Sequence, residues 1–191
     1  MLVASQLRVG AVVRFEGSAY KVIGTEYRPG QGRMSGAMHT RLRNLDTGTV
    51  WEHAFRSELK LEEMALDKHT LEFLYADEQQ CFFMDPETFE QTEIPNALVG
   101  IQARFLEAGM RLSVEFVGGR PIQVIFPDVL EVKIADTAPP AHQQQDTNFK
   151  PAKLENGVEV AVPQFVKTGD VIRLDIANLR YMDRARSRGP K

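Results

Sequence analysis

The sequence predicts an all-β chain of three consecutive small barrels, one SH3-like and two OB-fold-like. Short runs of alternating apolar and polar residues cover most of its 191 residues. Turns centred on Gly, or on Asp and Asn beside Gly, separate these runs. Charge divides the chain in three. Residues 1–64 hold nine Lys/Arg and seven Asp/Glu, residues 65–129 hold four and eleven, and residues 130–191 hold ten and eight. The net charges are +2, −7 and +2. Basic ends around an acidic middle set the expected domain boundaries at 1–64, 65–129 and 130–191, with a partner met by the ends.

In the first domain, Val12, Val13 and Phe15 lead to a turn at Glu16-Gly17-Ser18, and Tyr20, Val22 and Ile23 return, which makes a hairpin. A second, longer hairpin follows, with Leu42 and Leu45 on its return strand. Asp46-Thr47-Gly48 turns the chain again before Val50, Trp51 and Phe55. Trp51 is expected in the core or at the rim of this barrel. Residues 57–68 read as a connector into the second domain.

There, Leu71, Phe73 and Tyr75 alternate as a strand, Ala76 to Gln80 forms a polar turn, and Cys81 to Met84 returns as a buried strand stopped at Asp85-Pro86. Leu98, Ile101, Gln102, Phe105 and Leu106 recur near helical spacing, so one short helix is expected over 96–107, closed by Gly109. Met110, Leu112, Val114 and Phe116 form a strand, Gly118-Gly119 a turn, and Ile122, Val124 and Phe126 its return. Five strands or so with one short helix fit an OB-like barrel.

In the third domain, Leu130, Val132 and Ile134 open a strand. The polar, proline-containing stretch from Ala135 to Lys150 reads as a mobile loop within the domain, because strands resume after it. Leu154, Asn156-Gly157 and the series Val158, Val160, Val162 mark a hairpin. Gly169 turns the chain, and Ile172, Leu174 and Ile176 alternate. The end of the sequence is basic.

The stretch around which a function can be built is Arg28 to Arg43, R-P-G-Q-G-R-M-S-G-A-M-H-T-R-L-R. It holds four arginines and His39, and no acid. Pro29 to Gly36 contains three glycines and a proline, which no regular element accommodates. Apolar alternation resumes on both sides, so this is a hairpin loop projecting from the first barrel, with Arg33 and Met34 near its tip. An acid-free arginine loop is suited to a phosphate backbone. A solvated basic loop without a partner is equally compatible with the bare residues.

Catalytic patterns are missing from the sequence. It contains no H-E-x-x-H, C-x-x-C, P-loop or G-x-G-x-x-G. His39, His53, His69 and His142 lack metal-ligand spacing, and Glu62-Glu63 and Asp85/Glu87 read as acidic surface, so no metal and no cofactor are expected. The single cysteine, Cys81, lies in the apolar run C-F-F-M and reads as a core residue. No internal disulfide is possible, which suits a reducing, cytoplasmic setting. No apolar run approaches the ~20 residues of a membrane helix, and the first residues carry no signal-peptide pattern. What remains is basic loops on small barrels, a binding logic rather than an enzyme's.

Six ordered segments carry a resemblance. They are L-R-V-G-A-V-V-R-F-E-G-S-A-Y-K-V (Leu7–Val22), R-L-R-N-L-D-T-G-T (Arg41–Thr49), F-M-D-P-E-T-F-E-Q (Phe83–Gln91), E-V-K-I-A-D-T-A-P (Glu131–Pro139), the long segment Lys150–Arg173, and the closing Y-M-D-R. Over these the chain resembles bacterial translation elongation factor P from end to end. The resemblance implies a KOW-like first barrel and an L-shaped, tRNA-like arrangement of the three. It implies a cytoplasmic, monomeric factor that docks on the ribosome between the peptidyl-tRNA and exit sites, meets rRNA and peptidyl-tRNA, and speeds peptide bond formation at consecutive prolines. Its first loop tip would reach the CCA end of the peptidyl-tRNA. Arg28, Arg41, Arg43, Arg180, Arg184 and Arg186 are the expected RNA-phosphate contacts. A general RNA-binding or RNA-chaperone protein of OB-like domains is the alternative. The aromatics speak against it, because they sit in alternating core patterns rather than exposed stacking clusters.

The tip departs from the family. Many members read P-G-K-G there, with the lysine covalently extended. This chain reads P-G-Q-G-R-M-S-G, one residue longer between Glu26 and Leu42. Counted back from Leu42 the tip position falls on Arg33, and counted forward from Glu26 it falls on Gly32. Arg33 is assigned, flanked by Gln31, Gly32 and Met34, because glycine supplies no charge. Relatives with a glycosylated tip arginine carry S-G-R-N, which is absent here. Modification of Arg33 by a dedicated enzyme, and status as main factor or divergent paralogue, stay open at this point.

Overall fold

The computed structural model of the chain describes residues 1–30, 36–139 and 148–185. It is built of strands arranged in three sheets. The first holds β1 (Leu2–Val3), β2 (Val12–Phe15), β3 (Ser18–Arg28), β4 (Ala37–Asn44), β5 (Val50–Arg56) and β6 (Lys60–Met64), in the spatial order β1-β6-β2-β3-β4-β5. The second holds β7 (Leu66–Ala76), β8 (Gln80–Met84), β9 (Gln91–Pro95), β10 (Arg111–Val117) and β11 (Arg120–Ile125), in the order β11-β10-β7-β8-β9. The third holds β12 (Val129–Thr137), β13 (Phe149–Leu154), β14 (Glu159–Pro163), β15 (Val171–Asp175) and β16 (Arg180–Arg184), in the order β14-β13-β12-β15-β16. The fold is thus all-β, in three sheets of six, five and five strands.

The chain condenses into two compact units. One comprises Met1–His69 with Val114–Gln123, the other Thr70–Ser113 with Val124–Lys191. In the first unit, inward residues of alternating strands build the core: Val13, Val22, Leu42, Phe55 and Leu61, with Ala4 and Leu7 beneath. Phe15, Trp51, His53 and Phe55 form an aromatic ladder. His53 lies between Trp51 at 4.6 Å and Phe55 at 4.5 Å, centroid to centroid. Trp51 is partly exposed, a rim residue. In the second unit, Phe73 and Phe83 meet edge to face at 5.4 Å. A separate cluster contains Ile134, Leu154, Val162, Ile172 and Leu174.

Three expectations need correction. The stretch 57–68 is not a plain connector, because it contains β6, which pairs with both β1 and β2. Only Leu61 is buried in that strand, so its period-2 signal is a single residue long. The expected helix over 96–107 is one α-turn, Asn96–Val99, followed by a 3-10 segment, Gly100–Phe105. Gly100 ends the α-turn with φ +67, and Ile101 is half exposed where helical periodicity had placed it inward. Tyr75 leaves the alternation of Leu71 and Phe73 because a bulge lies between Phe73 and Tyr75. It therefore stacks on Phe82 at 4.5 Å and is exposed. Half of the expected loop from Ala135 to Lys150, residues 140–147, lies outside the described residues, and its ends are strand, with 135–137 in β12 and 149–150 in β13.

Candidate functional site

The arginine-rich stretch occupies the β3–β4 hairpin. The two strands pair from Tyr20 with Asn44 to Arg28 with Ala37, with one bulge between Val22 and Gly24. Positions 38, 40 and 42 of β4 are buried, so positions 37, 39, 41 and 43 share the outer face. Gly24, Glu26 and Arg28 oppose them on β3, and Glu52, Ala54 and Arg56 on β5. The structure therefore brings Arg28, Arg41 and Arg43 onto one face. Arg33 lies outside the described residues, with Gln31, Gly32 and Met34, and so does Arg186.

The pairing of each arginine sets what it offers. Arg28 Nη2 lies 3.1 Å from Glu26 Oε2, and this guanidinium holds the Glu26 carboxyl below the usual carboxylate range. Arg41 Nε lies 3.5 Å from Glu52 Oε1, while its stem passes over Gly24, where an added Cβ would sit 3.5 Å from Arg41 Cβ. Both pairs are solvated and therefore weak, so either arginine can exchange its carboxylate for a stronger anion. Arg43 makes no ion pair among the described residues. A shallow groove of about 490 Å³ runs across this face, lined by Glu26, Arg28, His39, Arg41 and Glu52.

Arg56 was missed by the sequence reading. It ends β5 opposite Ala37, which in turn faces Arg28, so Arg28 and Arg56 flank one β4 position at the foot of the loop. The signal was present in V-W-E-H-A-F-R, whose even positions point outward once Phe55 is placed inside.

Arg180 and Arg184 lie on β16 in the second compact unit, so they belong to a strand and not to a loose tail. Arg184 Nη2 sits 2.6 Å from Asp170 Oδ1, and Asp170 also accepts the Lys167 N–H at 2.9 Å. The Asp170 side chain is only 11% exposed, so Arg184 is committed to a structural pair. Arg180 is exposed opposite Asp175. Among the described residues, no cluster of three or more His, Cys, Asp or Glu is placed to hold a metal ion. No helix among them is long and apolar enough to cross a membrane.

Three family models match consecutive parts of the chain. They are described as the elongation factor P KOW-like domain (residues 3–61), the elongation factor P OB domain (66–124) and elongation factor P, C-terminal (130–184). Elongation factor P of Symbiobacterium thermophilum is 37% identical over 187 residues, covering 97% of this chain and 100% of that one. Elongation factor P of Gemmatimonas aurantiaca is 35% identical over 184 residues, covering 96% and 97%. This chain belongs to the elongation factor P family. It is a translation elongation factor. Elongation factor P of Thermus thermophilus is 34% identical over 186 residues, covering 97% of this chain and 100% of that one. A solved structure titled eukaryotic translation initiation factor 5A from Methanococcus jannaschii aligns over 65% of this chain and 92% of its own, with TM-score 0.52 and 18% identity. At that identity the likeness concerns the fold alone.

Proposed function

We propose that this factor binds the ribosome between the peptidyl-tRNA and exit sites and stimulates peptide bond formation where consecutive prolines stall it. It works in the cytoplasm as a monomer, through contact and not as an enzyme. Its proposed modules are 1–64, 65–129 and 130–191, ranges that follow the three sheets to within one residue, since β12 begins at Val129. The observation that carries this reading is the β3–β4 hairpin of an elongation factor P family member. Its stem presents Arg28, Arg41 and Arg43 on one face and leads into an acid-free segment containing Arg33. Arg33, flanked by Gln31, Gly32 and Met34, is the residue proposed to meet the CCA end of the peptidyl-tRNA.

The mechanism is positioning. A proline-rich peptidyl-tRNA is badly placed for attack, and a misplacement of ~1 Å costs ~100-fold in rate. A guanidinium gives a planar, two-pronged contact to phosphate or base that a lysine ammonium does not. Arg33→Ala is expected to remove most polyproline rescue and leave ribosome binding nearly intact. Arg33→Lys is expected to be intermediate. A polyproline reporter in a strain lacking the factor, run beside ribosome sedimentation, tests this. Full rescue by Arg33→Ala overturns it. Intact mass of natively produced protein reads out whether a host enzyme extends the tip.

A further inference from the structure

We infer that Tyr27, Gly36 and Ser57 form a clamp at the foot of the tip segment and act as positioning residues for it. This rests on the function proposed above. Tyr27 lies on β3 opposite Met38, so its ring reaches diagonally along β4 toward Gly36, the residue just before that strand. A Cβ added to Gly36 would lie 2.3 Å from Tyr27 Oη and 2.8 Å from its Cζ. Any other residue at 36 must therefore push the ring away. Tyr27 is itself 53% exposed, so hydrophobic burial is a weak reason for its placement, and the ring lies where it closes on the glycine.

The other side of Gly36 is held by Ser57, directly after β5. The Gly36 carbonyl accepts the Ser57 N–H at 3.0 Å and the Ser57 hydroxyl as well. The Ser57 carbonyl in turn accepts the Ser5 N–H at 3.1 Å, in the 3-10 turn Ala4–Gln6, whose Ala4 is fully buried. The next residue, Ala37, is paired on both sides, to Arg28 and to Arg56. The point where the chain re-enters the barrel is thus tied through Ser57 to the core and capped by Tyr27. These contacts fix the position and direction at which the chain enters β4. Tyr27 and Ser57 contribute to rescue without themselves touching RNA.

The test uses full-length protein in a reconstituted translation reaction that forms a polyproline peptide bond at varied factor concentration. Tyr27→Leu and Ser57→Ala are expected to lower the saturating rate about tenfold, a fraction of the effect of a full ångström displacement. The half-saturating concentration should stay unchanged. Ser57→Thr keeps the hydroxyl and should restore the rate. Melting curves confirm that each variant is folded, which is expected because Tyr27 is half exposed and Ser57 lies just beyond the end of β5. Either single substitution should add little to Arg33→Ala. A saturating rate unchanged in Tyr27→Leu and Ser57→Ala, while Arg33→Ala is crippled, overturns the clamp and leaves the proposed function standing. A raised half-saturating concentration at unchanged saturating rate also overturns it, because the two residues would then serve docking. Arg33→Ala with full rescue brings down the proposed function and the clamp together.

Discussion

The Lys21 ammonium donates to the Glu115 carboxylate and, at 2.8 Å, to the side-chain oxygen of Gln123. This joins β3 to the β10–β11 hairpin within one compact unit. Only 13% of the Lys21 side chain and 12% of the Glu115 side chain are exposed. Removing one partner of such a pair strands a charge away from water. The exposed Arg120–Asp46 pair, at 2.6 Å, ties the same hairpin down more weakly.

Lys21→Met is therefore expected to destabilise the first unit by about 3 kcal/mol, the low end for a broken buried pair, since both groups keep some solvent. The double variant Lys21→Met with Glu115→Leu is expected to lie closer to the parent than either single substitution. Urea unfolding midpoints check this. A Lys21→Met midpoint equal to the parent's would mean that the pair is solvated in solution.

Cys81 is fully buried, and its thiol donates to Asn96 Oδ1 at 3.0 Å. Burial first, and then the Asp77 carboxylate, push its pKa up from the ordinary 9.0. The fold thus favours the neutral thiol. The resulting stabilisation is complete below pH 9.0, the unfolded value, and is lost as pH rises through the higher folded value. A thiol-specific reagent should label native protein very slowly at neutral pH and track unfolding across a urea series. Rapid labelling without denaturant would contradict this.

Phe105 ends the 3-10 segment and is buried in the same cluster as Ile134, Leu154 and Leu174. Phe105→Ala is expected to cost about 3–5 kcal/mol through the cavity it leaves. Calorimetry should show the loss in the unfolding of the second unit. The salt dependence of ribosome binding carried by the β3–β4 face should not change. A loss below about 1 kcal/mol, the scale of an ordinary surface change, would place the ring outside that core.

These contacts mark what the sequence makes legible. The Val12–Phe15 hairpin, the Asn156-Gly157 turn and the alternation of Ile172 and Leu174 are local patterns, and the strands follow them. Lys21 is different, because nothing in S-A-Y-K-V separates it from an exposed lysine. Its partners lie 94 and 102 residues away, and only pairing in three dimensions reveals them. Glu115 likewise reads as an outward position between Val114 and Phe116, yet it is buried because that face of β10 is covered. The hairpin that carries the arginines was legible from its flanking alternation, while their shared face comes from the strand register. The clamp at Gly36 was not, because Tyr27 and Ser57 reach it across strands.

The arginines themselves separate into two kinds, and ribosome binding should reveal both. Arg43 and Arg56 are exposed and make no ion pair among the described residues, so a phosphate contact displaces only water and counterions. Arg28 and Arg41 first give up a solvated carboxylate, a minor cost. Removing one arginine–phosphate interaction should lower the slope of log affinity against log salt by about one. Arg43→Ala and Arg56→Ala are expected to do so with unchanged melting. Arg184 is held by Asp170, whose carboxylate is nearly enclosed. Arg184→Ala is expected to lower the melting temperature and leave the salt slope unchanged. Sedimentation of ribosomes across a salt series, with melting curves of the same variants, measures both quantities. If Arg184→Ala lowered the slope and left melting unchanged, its bond to Asp170 would be one that RNA replaces, and β16 would join the contact surface.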